Sequence, residues 1–199
     1  APGNPGIFQF ATQARINPTH HAEVIEFCKT ASIDLVVIGP EAPLAAGLAD
    51  DLRGRGIAVF GPSREAARLE SSKAFAKDFM LRHGIPTAQY RVFNEHQHHE
   101  ARDYVAAHTL PVVIKADGLA AGKGVTVAET HRVALEALDA AFDGKYGTAG
   151  RSIVVEEFMQ GEEASVFAIC DGERFLTLAT AQDHKRIGDG DTGENTGGM

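Results

Sequence analysis

The sequence has no uninterrupted apolar stretch approaching the roughly 18 residues that a membrane span needs. Its N-terminus also lacks a basic-then-apolar signal pattern. No membrane-spanning helix is expected within this sequence, and a cytoplasmic setting is the default expectation. Cysteine is scarce: Cys28 and Cys170 lie far apart and match neither a zinc spacing nor a disulfide framework. Both are expected to be buried thiols in a reducing compartment. Positive charge is also in short supply, with 27 Asp and Glu against 19 Lys and Arg and a net charge of -8. The chain as a whole therefore repels nucleic-acid backbones and anionic membranes, and any phosphate it binds must be held by a local pocket. What is present is an ordinary globular composition, 199 residues with 44% hydrophobic and 23% charged, enough for one or two cores. The chain starts at Ala1 and stops at Met199 inside a glycine-rich polar stretch. It is expected to be a fragment of a longer protein.

Hydrophobic patterning divides the chain. Residues 1–61 read as α/β: a helical pattern over 20–30, the buried-strand run "IDLVVIG" (33–39), a helix over 44–55 and a short strand "IAVFG" (57–61). β-Branched runs alternating with helices predict a parallel sheet covered on both faces. The stretch 62–87 carries a Pro-Ser start, the apolar set Phe75, Phe79 and Met80, and Gly84 then Pro86 as a stop, which predicts one or two helices. From Tyr90 a second α+β unit is predicted, with strands at "YRVF", "LPVVIKA", "VTVA" and "SIVVEEFM" and helices over 95–107 and 132–142. Past Gly161, "EASVFAIC" and "RFLTLAT" flank Asp171-Gly172, a hairpin signal, and 181–199 read as polar loop.

The stretch "KADGLAAGKGV" (115–125) has the composition of a phosphate cradle. It is not a Walker A loop: Gly118 and Gly122 are one residue too close, and Gly124 stands where Ser or Thr would hold Mg²⁺. Because "VTVA" after it is β-branched, the stretch is predicted to be a flap joining two antiparallel strands. "GDGDTG" (188–193) satisfies the bare dinucleotide pattern but has no strand before it and no helix after it, so a Rossmann reading fails. It fails as an EF-hand as well, since Gly193 occupies the fifth position.

"VVIKADGLAAGKGV", followed about thirty residues later by "VVEEFMQGEEAS", resembles the lid and adenine hinge of ATP-grasp enzymes. Together with "VIGPEAPLAAGLADDLR", "VFGPSREAARLESSKAFAKDFMLRHGIPTA" and "TAQDHKRIGDGDTGENTGGM", these segments make the whole chain similar to the phosphoribosylamine-glycine ligase (glycinamide ribonucleotide synthetase) family. The resemblance implies the following organisation. Residues 1–61 are a partial N-terminal, Rossmann-like α/β unit, 62–87 a helical connection, 88–160 the ATP-grasp lid, and 161–199 the start of the catalytic subdomain. It implies that Lys115 and Lys73 meet the phosphates of ATP, with Gly122, Lys123 and Gly124 in the flap above them. Two-sided cations and a glycine flap suit a triphosphate, because its charge needs neutralising and its oxygens need close backbone N–H groups. The hinge residues Glu156, Glu157, Phe158 and Met159 then face the adenine, and Glu163 the ribose.

The implied chemistry is an ATP-dependent ligation. Glycine attacks the γ-phosphate to give glycyl phosphate and ADP, and the amine of 5-phosphoribosylamine displaces phosphate to give glycinamide ribonucleotide. Such a reaction rests on positioning and on shielding the acyl phosphate from water. Asp183, His184, Lys185 and Arg186 are expected to serve substrate or phosphate as a set, with Asp191 and Thr192 beside them. Glu41 follows the sheet edge where ligands sit and is a substrate candidate, although "GPEAP" is equally a loop-to-helix start. Mg²⁺ or Mn²⁺ is implied, with its ligands expected outside this chain. His96 and His99 stand at i, i+3, but a polar helix start accounts for them better than a shared metal. Two alternatives remain open: another ATP-grasp carboxylate–amine ligase, and a nucleotide-binding module without turnover.

Overall fold

The computed structural model describes residues 1, 3–120, 122–184, 186–190 and 192–195, with no side chain described at 186 or 193–195. The chain separates into two units, Ala1–Phe79 and Met80–Met199.

The first unit contains α1 (His21–Thr30), β1 (Leu35–Val37), α2 (Glu41–Ala46), α3 (Leu48–Arg53), β2 (Ala58–Phe60) and α4 (Arg64–Ser71). It ends within α5 (Lys73–Arg82). β1 and β2 pair in parallel, Leu35 opposite Ala58 and Val37 opposite Phe60. Val36, Ile38 and Val59 turn toward the helices and pack with Val24, Leu44, Leu48, Ala49, Leu52 and Ala67. Leu52 is fully buried, a burial worth about 1.5–3 kcal/mol. The parallel pairing agrees with the sequence reading; the expectation of two covered faces does not. Leu35, Val37 and Phe60 point the other way and are 55%, 65% and 49% exposed. The single helix expected over 44–55 is two helices, because Gly47 adopts φ +93°, a left-handed conformation that ends α2. α4 starts where Ser63 Oγ accepts the Ala66 N–H at 3.2 Å.

In the second unit β3 (Tyr90–Asn94), β4 (Val112–Ala116), β5 (Val125–Ala128) and β6 (Ser152–Glu157) form one antiparallel sheet in the order β3-β6-β4-β5. Alternation assigns its faces. Phe93, Val112, Ile114, Ala116, Ala128, Ile153 and Val155 form one core with Ala101 and Val105 of α6 (His98–Ala107) and Ala134 and Leu138 of α7 (His131–Ala140). Val113, Lys115, Val154 and Glu156 therefore share the opposite face. Asn94 and Thr130 cap the turns that lead into these helices. Asp139 of α7 clasps α6, accepting from His98 Nε2 at 2.7 Å and from Arg102. Partial burial acts to raise the Asp139 pKa. The hydrogen bonds and charges of Arg102 and His98 outweigh it, so the carboxyl titrates below its ordinary value.

Two antiparallel hairpins follow, β7 (Ala168–Cys170) with β8 (Phe175–Thr177) and β9 (Arg186–Gly188) with β10 (Thr192–Asn195). The first is the one signalled by Asp171-Gly172. Asp171 Oδ1 accepts from Arg174 N at 2.7 Å and Glu173 N at 2.9 Å, bonds that lower its pKa and hold the turn. Cys28 is buried as expected, and burial raises its pKa. Cys170 is exposed, contrary to expectation, because every residue of β7 is exposed. Over 186–190 and 192–195 the second hairpin replaces the expected polar loop. At Gly188 a Cβ would meet Thr192 Oγ1 at 2.6 Å and Thr192 O at 2.9 Å. Gly188 thus serves a tight cross-strand approach and Gly190, at φ +69°, the turn. Among the described residues no helix is long and apolar enough to cross a membrane.

Candidate functional site

Lys115 is placed by the register of the sheet. On β4 it lies opposite Val154, and Glu156 lies opposite Val113, so the two are diagonal neighbours on the face away from α6 and α7. Lys115 Nζ donates to Glu156 Oε2 at 2.8 Å. The Lys115 side chain retains 26% of its exposure and that of Glu156 4%, so the pair is largely withdrawn from water. Such a pair costs desolvation, and removing one partner strands the other charge. An ammonium has three donors, so Lys115 can hold Glu156 and still present N–H groups to an anion.

The flap runs directly from Lys115. Its base is fixed by Ala116 N donating to Gly124 O at 2.8 Å and Asp117 N donating to Ser152 O at 2.9 Å. Its glycines have different tasks. A Cβ at Gly118 would meet Cβ and Cα of Ala149 at 2.8 and 2.9 Å, and one at Gly124 would meet Ala120 Cβ at 2.8 Å. Those two allow close packing of the flap base. Gly122, at φ +74°, makes the turn. Lys123 is exposed and its N–H donates to Ala120 O at 3.0 Å. The antiparallel flap read from the β-branched "VTVA" is what β4 and β5 form.

The end of β6 is held by Gln89, a residue that sequence reasoning missed. Glu157 N donates to Gln89 O at 3.0 Å, and Gln89 N donates to Glu157 Oε1 at 2.8 Å. The Glu157 side chain is thus occupied by the scaffold. Gln89 and Glu157 are 68 residues apart in sequence, and no local pattern signals their meeting. Phe158 and Met159, 39% and 65% exposed, follow the clasp. Glu163 is exposed in the segment that leads to β7.

The other candidates scatter. Lys73 opens α5 and is half-buried rather than on an open helix start, just after Ser72, whose Oγ accepts the Phe75 N–H at 3.1 Å. Glu41 is exposed at the first position of α2. Asp183 is half-buried and His184 exposed, after a bridge between Ser165 and Ala181 that extends the first hairpin. Thr192 is exposed on β10, its hydroxyl donating to Asp189 O at 2.9 Å. Lys185 and Asp191 lie outside the described residues, as does the side chain of Arg186. His99 faces solvent and pairs with Asp103 at 3.1 Å. Among the described residues no three His, Cys, Asp or Glu side chains are grouped to hold a metal ion. A groove in the first unit, lined by His21, Glu26, Lys29, Asp51 and Arg55, balances its acids against its bases and does not suit a polyphosphate.

Residues 71–199 match the model of the phosphoribosylglycinamide synthetase ATP-grasp (A) domain, and residues 1–70 that of the phosphoribosylglycinamide synthetase N domain. Over 199 residues the chain is 62% identical to the phosphoribosylamine–glycine ligase of Agrobacterium fabrum, covering 100% of this chain and 47% of that relative. The crystal structure of phosphoribosylamine–glycine ligase from Thermotoga maritima superposes with a TM-score of 0.78 at 34% identity, covering 100% of this chain and 47% of that one. A biotin carboxylase–β,γ-ATP complex from Campylobacter jejuni shares the fold, with a TM-score of 0.66 at 22% identity over 83% of this chain and 38% of its own. The chain spans less than half the length of the curated relatives it matches.

Proposed function

Because the chain belongs to the phosphoribosylglycinamide synthetase family, we propose that it supplies the nucleotide-gripping part of an ATP-dependent ligase that joins glycine to 5-phosphoribosylamine. The observation that carries this reading is Lys115, held by Glu156 at 2.8 Å at the foot of a glycine flap. Lys115 directs donors to the triphosphate, and the flap amides from Gly122 to Gly124 close over it. The backbone after the Gln89–Glu157 clasp reads the adenine edge, with Phe158 and Met159 lining the purine slot and Glu163 accepting from the ribose. Lys73 serves as a second phosphate cation on the family pattern. Asp183, His184, Lys185 and Arg186, with Asp191 and Thr192, serve the acceptor and the transferred phosphate, and Glu41 serves the phosphoribosylamine.

A carboxylate cannot expel oxide, so glycine must first be activated. Its carboxylate oxygen attacks the γ-phosphorus and the bond to the β,γ-bridging oxygen breaks, giving glycyl phosphate and ADP. The amine of phosphoribosylamine then attacks the acyl carbon, phosphate leaves, and the nitrogen loses a proton. The task of these residues is to bind, align and exclude water. The described residues group no three His, Cys, Asp or Glu side chains for a divalent cation, and the Mg²⁺ or Mn²⁺ that the family pattern implies would take its ligands from outside this chain.

The test is ADP release by the intact protein carrying this chain. Release is expected with glycine and phosphoribosylamine together, and not when bicarbonate or formate replaces glycine. Indifference to glycine refutes the assignment, and nucleotide binding without ADP release marks a binding module.

A further inference from the structure

Resting on the reading of Glu41 as a phosphoribosylamine contact, we infer that Asp50 and Arg53 of α3 are positioning residues for the acceptor side of the site, because they hold the loop 61–63 beside the loop that carries Glu41. The register of the parallel pair brings these loops together. Val37 lies opposite Phe60, Ile38 N donates to Phe60 O at 3.1 Å, and a Cβ at Gly61 would stand 3.6 Å from Ile38 Cβ. The chain therefore leaves β1 through Gly39, Pro40 and Glu41, and leaves β2 through Gly61, Pro62 and Ser63, side by side. This is the carboxyl edge of the sheet, where open α/β sheets place ligands.

The second loop has little with which to fix itself. Gly61 has no side chain, Pro62 has no N–H to donate, and Ser63 Oγ is taken by the Ala66 N–H at 3.2 Å. α3 supplies the missing anchors. Arg53 Nη2 donates to Gly61 O, and Asp50 Oδ2 accepts from Arg64 N at 2.7 Å, so the loop is gripped at its first residue and just past its last. The two side chains also face each other, Arg53 Nη1 to Asp50 Oδ1 at 3.7 Å, three residues apart on one turn of the helix. With side chains 42% and 45% exposed, this ion pair by itself adds little to stability. Its bonds to the loop backbone decide where the loop stands, and a displacement of about 1 Å in a positioning element is enough to weaken a site.

The experiment measures steady-state kinetics of the intact protein, with phosphoribosylamine formed in place from ribose 5-phosphate and ammonia and with thermal melting as the check on folding. The forms are wild type, Arg53→Met, Asp50→Ala, the double variant and Glu41→Gln. Arg53→Met and Asp50→Ala are each expected to raise the apparent KM for phosphoribosylamine about tenfold, the worth of one charge-assisted hydrogen bond. The KM values for ATP and glycine, and kcat, are expected to stay within about threefold, because a displaced wall weakens ground state and transition state alike on the acceptor side only. The double variant is expected to add less than about threefold to either single change, since both act on one loop. An unchanged KM for phosphoribosylamine overturns the inference, as does a double variant that shows the full product of the single effects. A rise shared by all three substrates also overturns it, for that is the pattern of a merely structural role. If Glu41→Gln leaves the KM for phosphoribosylamine unchanged, the reading of the acceptor site fails and the inference with it; if Glu41→Gln raises it and Arg53→Met does not, only the positioning role fails. Should Arg53→Met not fold, Asp50→Ala carries the test: the same selective rise is expected, and its absence refutes the role.

Discussion

Gly118→Ala probes how the flap is anchored. Its added Cβ would lie 2.8 Å from Ala149 Cβ and 2.9 Å from Ala149 Cα. An ordinary contact is about 3.5–4.0 Å, so the overlap is about 0.6 Å or more against two atoms. One of these is backbone and cannot rotate away. Overpacking of this kind costs about 1–3 kcal/mol. Alanine also stiffens the unfolded chain, which returns about 0.4–1 kcal/mol. The net expectation is a loss of about 1–2 kcal/mol, or a fall of about 2–8 °C in Tm. Ala149→Gly removes one of the two clashing atoms, so the double variant is expected to be more stable than the sum of the single changes by about 0.5 kcal/mol or more. Chemical and thermal unfolding of the four forms measures both quantities. A Gly118→Ala protein as stable as wild type, or strictly additive with Ala149→Gly, refutes the view that this glycine exists for close packing.

Two further outcomes follow from packing and charge. Asp139 has a folded pKa below the ordinary 3.8, so its bonds to His98 and Arg102 contribute stability above that pH and lose it as pH falls through the lower folded value. The Tm gap between wild type and Asp139→Asn is therefore expected to be present at about pH 6 and to shrink in acid, and a gap that widens below about pH 4 contradicts it. Gly188→Val would drive a side chain into Thr192, whose Oγ1 lies 2.6 Å from the Cβ position. Hydrogen exchange is expected to quicken across 186–195 and to stay unchanged in β3 to β6.

Much of this architecture is legible in the sequence because local signals and tertiary demands agree. "VVIKA" and "VTVA" read as strands and pair as β4 and β5, and Asp171-Gly172 marks a hairpin that forms. Local patterning misled where a single glycine redirects the chain. Gly47 divides one periodic helix into two, and Gly190 turns an apparent polar loop into a hairpin. At the candidate site Lys115 and the flap were legible, since an apolar run ending in lysine before three glycines is a local pattern. Its partners were not. The ion pair to Glu156 depends on a strand register, and the clasp of Glu157 by Gln89 joins residues 68 apart. Exposure of Cys170 follows from the surroundings of a hairpin rather than from the thiol.

Affinity labelling with an adenosine polyphosphate that carries a pyridoxal aldehyde tests most directly whether Lys115 faces the triphosphate. The aldehyde condenses with the nearest amine, borohydride fixes the adduct, and peptide mass mapping locates it. Lys115 is predicted to carry the label, with excess ATP suppressing it. A label confined to lysines other than Lys115, Lys73 and Lys123, or one that forms on Lys115 equally well in the presence of ATP, contradicts the account.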